Sequence, residues 1–102
     1  MNLLPKKVEA LLPPLYSNDG LGKEAIAQVK FFTPDASWTW YATEYDPIER
    51  VFFGLVDGFE KELGYFSLDE LQSVRGPLGL AIESDLSFEP TNLKDLFNHF
   101  LS

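Results

Sequence analysis

Four carboxylates, Glu44, Asp57, Glu60 and Glu62, fall in the middle of a 102-residue chain, interleaved with large rings. Two carboxylates brought together by folding can perform acid–base chemistry or hold a hard cation, whereas the same groups spread apart make a solvated acidic face. Asp57 precedes Gly58, so turn geometry alone would also select it. Trp38, Trp40 and Tyr41 form a dense aromatic run that serves either as core or as a contact surface. Arg75, in Arg75-Gly76-Pro77-Leu78-Gly79-Leu80, could pair with the strand acids or hold an anionic ligand in a bidentate fork. His99 is the only histidine and cysteine is absent, which excludes a thiol nucleophile, a thiolate metal site and any site needing several His ligands. Phosphate-binding glycine loops, His-Glu-x-x-His, Gly-x-Ser-x-Gly and EF-hand spacings are missing too. Neither a cofactor nor a catalytic residue is expected from these signals.

Charge narrows the partners. The formal net charge is −8, with Asp and Glu outnumbering Lys and Arg 16 to 8. Residues 31–73 hold nine acids against Arg50 and Lys61, so the acidity is concentrated there. Such a surface repels phosphates, and no duplex DNA binding is expected. No run approaches the roughly 18 apolar residues of a membrane span, and the start lacks the pattern of a secretory signal, so the expected location is the cytoplasm, with no membrane partner.

The elements that would position these residues are legible in the spacing. Val8, Leu11, Leu12 and Leu15 predict a short helix over 5–12, stopped by Pro13-Pro14, and Ser17 to Gly22 reads as a mobile loop. Strand-length runs at 27–32, 38–45 and 51–56 are joined by hairpin-length connections. Asp57-Gly58 would make a tight type I′ turn into a fourth strand at 59–66. Ser67-Leu68-Asp69-Glu70 has the form of a capping box for a helix at 68–74, with Phe66 and Leu71 as its hydrophobic staple. Leu93, Leu96, Phe97, Phe100 and Leu101 make one stripe of a last helix, N-capped by Thr91 and packed on the sheet. A further short strand is expected around 86–89.

Strict alternation along the second strand puts Trp38, Trp40, Ala42 and Glu44 on one face and Thr39, Tyr41, Thr43 and Tyr45 on the other. The expected fold is therefore a single α+β domain spanning 1–102, an antiparallel four-stranded β-meander with three short helices packed largely on one face.

Across nearly the whole chain the ordered words Val29-Lys30-Phe31-Phe32-Thr33-Pro34-Asp35, Trp38-Thr39-Trp40-Tyr41-Ala42-Thr43-Glu44, Phe52-Phe53-Gly54-Leu55-Val56-Asp57-Gly58, Glu62-Leu63-Gly64-Tyr65-Phe66-Ser67-Leu68 and Arg75-Gly76-Pro77-Leu78-Gly79-Leu80 carry a resemblance. The chain resembles a family of small bacterial proteins of unknown function, often encoded on plasmids and other mobile elements. The resemblance implies no activity or site residue. The functional expectation is a non-enzymatic protein-interaction module that presents Trp38, Trp40, Tyr41, Glu44, Asp57, Glu60, Glu62 and Arg75 to a protein partner, one version being a nucleic-acid-mimicking inhibitor. The alternative is a small-ligand or catalytic domain using the strand carboxylates, with a metal ion conceivable.

Overall fold

Hairpin-length loops and alternating aromatic runs give consecutive antiparallel strands, and these carry the domain. The computed structural model describes residues 3–18 and 20–98. Its main sheet contains β2 (Val29–Phe32), β3 (Thr39–Asp46), β4 (Val51–Asp57), β5 (Lys61–Ser67) and the two-residue β6 (Glu83–Ser84), in the order β5-β4-β3-β2-β6, all antiparallel. The expected meander is its body, but the sheet has five strands rather than four. The extra strand falls at 83–84 instead of 86–89, pairing Phe31 with Ser84 and Phe32 with Glu83.

The run expected as one strand from residue 27 is divided at Gln28. β1 (Ile26–Ala27) leaves the main sheet to pair with β7 (Thr91–Asn92), while the Gln28 amide still donates to the Ala42 carbonyl at 2.8 Å.

Three helices of four to six residues flank the sheet: α1 (Lys6–Glu9), α2 (Leu68–Ser73) and α3 (Leu93–Phe97). The capping box works through Ser67, whose hydroxyl oxygen accepts from the Glu70 amide at 3.2 Å. Its staple residues Phe66 and Leu71 are both buried in one cluster. For α3 the N-cap is Asn92 rather than Thr91, because Thr91 is committed to the β7 pairing and the Asn92 side chain accepts from the Lys94 amide at 2.7 Å. The expected last turn of this helix, with His99, Phe100 and Leu101, lies outside the described residues.

Helices this short are about 6–9 Å long and leave much of the sheet to be covered by loops. Both faces are covered in part, in contrast to the one-sided packing expected. One face holds Val29, Phe31, Trp40, Ala42, Tyr45, Phe52 and Phe66, closed by Leu3, Leu4, Leu68, Leu71 and Ile82. The other carries a smaller cluster of Ala25, Ala27, Leu55 and Leu93, with Tyr41, Phe88, Leu96 and Phe97 against it. The Lys61 ammonium fastens α3 to β5 by donating to the Leu96 and Phe97 carbonyls at 2.8 and 3.2 Å, where a cation complements the helix C-terminus.

A β-bulge corrects the alternation read for β3. Ala42 opposes Gly54 but Glu44 opposes Phe53, so Thr43 is the extra residue, and its hydroxyl donates to the Phe53 carbonyl at 3.0 Å. Beyond the bulge the faces exchange. Tyr45, not Glu44, joins Trp40 and Ala42 in the large core, where its ring lies 4.6 Å from that of Phe52.

Candidate functional site

Trp38 ends the β2–β3 loop, which is closed by the Thr33 hydroxyl oxygen accepting from the Trp38 amide at 3.1 Å and by the Thr33 amide donating to the Trp38 carbonyl at 3.0 Å. Its indole stacks on Trp40 at 6.0 Å between centroids and meets Phe59 edge-on at 5.3 Å and 80°. Two concavities share the Trp38 ring. One, of about 470 Å³, is lined by Trp38, Val56, Phe59, Glu60 and Glu62. The other, of about 390 Å³, includes Thr33, Trp38, Trp40, Val74, Arg75 and Pro77 in its lining.

The β4–β5 connection makes this arrangement possible. Asp57 pairs with Lys61, and the Gly58 amide donates to the Glu60 carbonyl, so the loop is Gly58-Phe59-Glu60 and not the two-residue type I′ turn expected. Gly58 does not have a positive φ; it is required because a Cβ there would overlap the six-membered ring of Trp38. Gly58→Ala should therefore shift Trp38 and lower stability by about 1–3 kcal/mol, the usual scale for overpacking. Trp fluorescence during urea unfolding reads both effects, and an unchanged emission maximum with unchanged stability would contradict the packing.

The second concavity is held by Asp35. Its Oδ2 accepts from the Leu78 amide at 2.7 Å, tying the loop after α2 to the β2–β3 hairpin. Oδ1 is buried with no hydrogen-bond partner among the described residues, and it approaches Gly76 so closely that a Cβ would collide with it. Arg75 does not pair with the strand acids as expected. Its Nη1 donates to the carbonyls of Gln72 and Val74 at 2.9 and 2.8 Å, finishing the C-terminal turn of α2.

The eight residues singled out from the sequence do not form one cluster. Trp38, Trp40 and Arg75 meet at one concavity, and Trp38, Glu60 and Glu62 at the other. Trp40 is only 8% exposed and belongs to the core. Tyr41 faces the opposite side of the sheet, 5.8 Å from Phe88, and burial, reinforced by the charges of Asp57 and Asp85, pushes its hydroxyl pKa up. Asp57 lies on that side too, in register with Thr39 and Lys61.

Glu44 is 3% exposed. The bulge delivers its carboxylate to the loop before β1, where Oε1 accepts from the Tyr16 amide at 2.8 Å and Oε2 from the Asn18 amide at 2.6 Å. Asn18 belongs to the segment 17–22 read as mobile, and its amide is tied to the sheet by Glu44, while Tyr16 just before that segment is held at φ 70°. Among the described residues no three Asp, Glu or His side chains gather as a metal cluster would require.

Sequence reasoning passed over Phe59, which is 94% exposed. A large ring between Asp57-Gly58 and Glu60 at a hairpin tip was the available signal, since polar residues ordinarily fill such tips.

The fold and this surface define an α+β domain built on a five-stranded antiparallel sheet with an acidic, aromatic end. The chain belongs to the family described as "Protein of unknown function (DUF2958)", whose model matches residues 3–97. Neither the curated proteins nor the solved structures contain a match. No helix among the described residues is long and apolar enough to cross a membrane.

Proposed function

We propose that the protein is a non-enzymatic interaction module that engages a protein partner through the Trp38–Phe59 end of the sheet. The observation that carries this reading is the exposed Phe59 ring, braced edge-on by Trp38 and sharing a concavity with Glu60 and Glu62. An apolar ring left in water beside fixed negative charge suits a partner with an apolar recess rimmed by Lys or Arg. On a mobile element, where the proteins it resembles are often encoded, and in the cytoplasm expected from its sequence, that partner is a host or element protein.

Nucleic-acid mimicry needs a long array of outward carboxylates; here it would have to work without Glu44, whose carboxylate is directed to backbone amides. The rival catalytic or metal-binding reading needs convergent carboxylates, and of Glu44, Asp57, Glu60 and Glu62 only the last two line one concavity. Single-strand stacking would have Trp38 without a freely exposed Trp40.

The test is capture from a bacterial lysate by the full chain, compared with Phe59→Ala and with Glu60→Gln and Glu62→Gln, each first shown to be folded. Phe59→Ala should lose the captured protein by about tenfold or more, the scale of an aromatic anchor. Each glutamine variant should weaken capture severalfold, less so at high salt. Capture unaffected by all three changes would reject this surface.

A further inference from the structure

The opposite end of the sheet, about 20 Å away along β3 by strand rise, holds a larger concavity of about 600 Å³ between residues 14–16, the β3–β4 turn and β5. Its lining includes Pro14, Tyr16, Tyr45, Pro47, Glu49 and Tyr65, with Asp46 at the start of the turn. Tyr16 and Tyr65 are 62% and 57% exposed, and the Tyr65 ring also meets Phe53 edge-on at 5.0 Å. No Lys or Arg lines the space among the described residues. The neighbouring Arg50, at φ 58°, sends its guanidinium to α2, with Nε 2.9 Å from Asp69 Oδ1 and Nη2 3.3 Å from Gln72 Oε1, although its charge still acts on Tyr45.

The rim is preorganised. Buried Glu44 accepts the Tyr16 and Asn18 amides, and the Tyr45 amide donates to the Pro13 carbonyl at 2.9 Å, which fixes the Tyr16 segment against β3. Across the opening, the Asp46 carboxylate accepts from the Ile48 amide at 2.9 Å, and the Arg50 amide donates to the Asp46 carbonyl at 2.7 Å, which sets the turn carrying Glu49. Tyrosine rings present negative faces to a cation, and nearby carboxylates add long-range attraction.

We propose that this concavity binds an organic cation bearing an alkylated ammonium group, held by the Tyr16 and Tyr65 rings and drawn in by Glu49 and Asp46. The volume accommodates a trimethylammonium head, whose bulk fills apolar space and whose charge is poorly served by water inside it. The site is separate from the Phe59 surface and does not depend on the protein-partner reading.

The experiment is NMR titration of the full chain with choline and with its neutral isostere, 3,3-dimethylbutan-1-ol. A trimethyllysine amide as third probe separates a free small molecule from a modified side chain as the source of the group. Choline or trimethyllysine should shift the amides of residues 14–16, 45–49 and 65 with a Kd of about a millimolar or tighter, and the neutral isostere should bind at least about fivefold more weakly. The tighter of the two cations identifies the source. Glu49→Gln, on an exposed turn, should weaken binding severalfold, and Tyr65→Leu about tenfold. Should Tyr65→Leu fail to fold through loss of its contact with Phe53, Glu49→Gln and the isostere still decide. Equal binding of the isostere, no shift by either cation at about 10 mM, or full affinity in Glu49→Gln would overturn the proposal.

Discussion

Replacing Phe52 with alanine should destabilise the domain by about 3–5 kcal/mol, the cost of removing a large ring and leaving an unfilled cavity. Phe52 is fully buried at the centre of the large core, with the rings of Phe31, Tyr45 and Phe66 at 5.2, 4.6 and 5.2 Å between centroids. Three strands contribute those neighbours, so relaxation cannot close the space without moving β2, β3 and β5 together. A domain of this size has total stability of about 5–15 kcal/mol, and the variant would unfold at markedly lower urea. A loss under about 1 kcal/mol would mean that the four-ring packing is not what holds the sheet. By comparison Phe97→Ala should cost less, since α3 buries Leu93 completely whereas Phe97 is half-buried, with the Lys23 ammonium 4.3 Å from its ring centroid.

Glu44→Ala should cost about 3 kcal/mol, because two hydrogen bonds to a charged acceptor are lost together and each contributes about 1.5–3 kcal/mol. The loss has a local signature. Tyr16, kept in the left-handed region by its amide contact, should relax, and exchange of the Tyr16 and Asn18 amides with solvent should speed by an order of magnitude or more. Glu44→Gln retains one acceptor oxygen but turns an amide donor toward a donor, and an intermediate loss is expected. Unaltered exchange at both amides in Glu44→Ala would show that the carboxylate is not the anchor.

The strands, their antiparallel sense and the Ser67 cap were legible because each is encoded locally: residue types alternate within a run, connections are short, and a hydroxyl stands three residues before a Glu. The bulge was not. Trp40, Ala42 and Glu44 alternate as regularly as a flat strand would require, and the extra residue is visible only where β4 answers β3. Misplacing one residue sent Glu44 to the wrong face, and with it the reading of the acidic surface. The same limit hid β6 and β7, two-residue strands whose pairing partners lie dozens of positions away in sequence and whose own composition carries no strand signal. At the candidate site, Glu60 and Glu62 line one concavity with Trp38, a meeting that depends on the pairing of separate strands and has no local signal in the chain. Arg75 was misassigned because nearby carbonyls at the end of α2 compete with distant carboxylates for a guanidinium.

The split at Gln28 governs how far the domain can be shortened. Residues 26–32 lie in two sheets at once, and both are completed by the stretch from Glu83 to Asn92, with β6 on β2 and β7 on β1. A chain ending before residue 83 would keep every hairpin of the meander yet leave β2 as a raw edge and Ala27 without its cover. Raw edges pair with other molecules. The smallest independently folding piece is thus set by a late strap rather than by the meander itself, which accords with a family match running to residue 97.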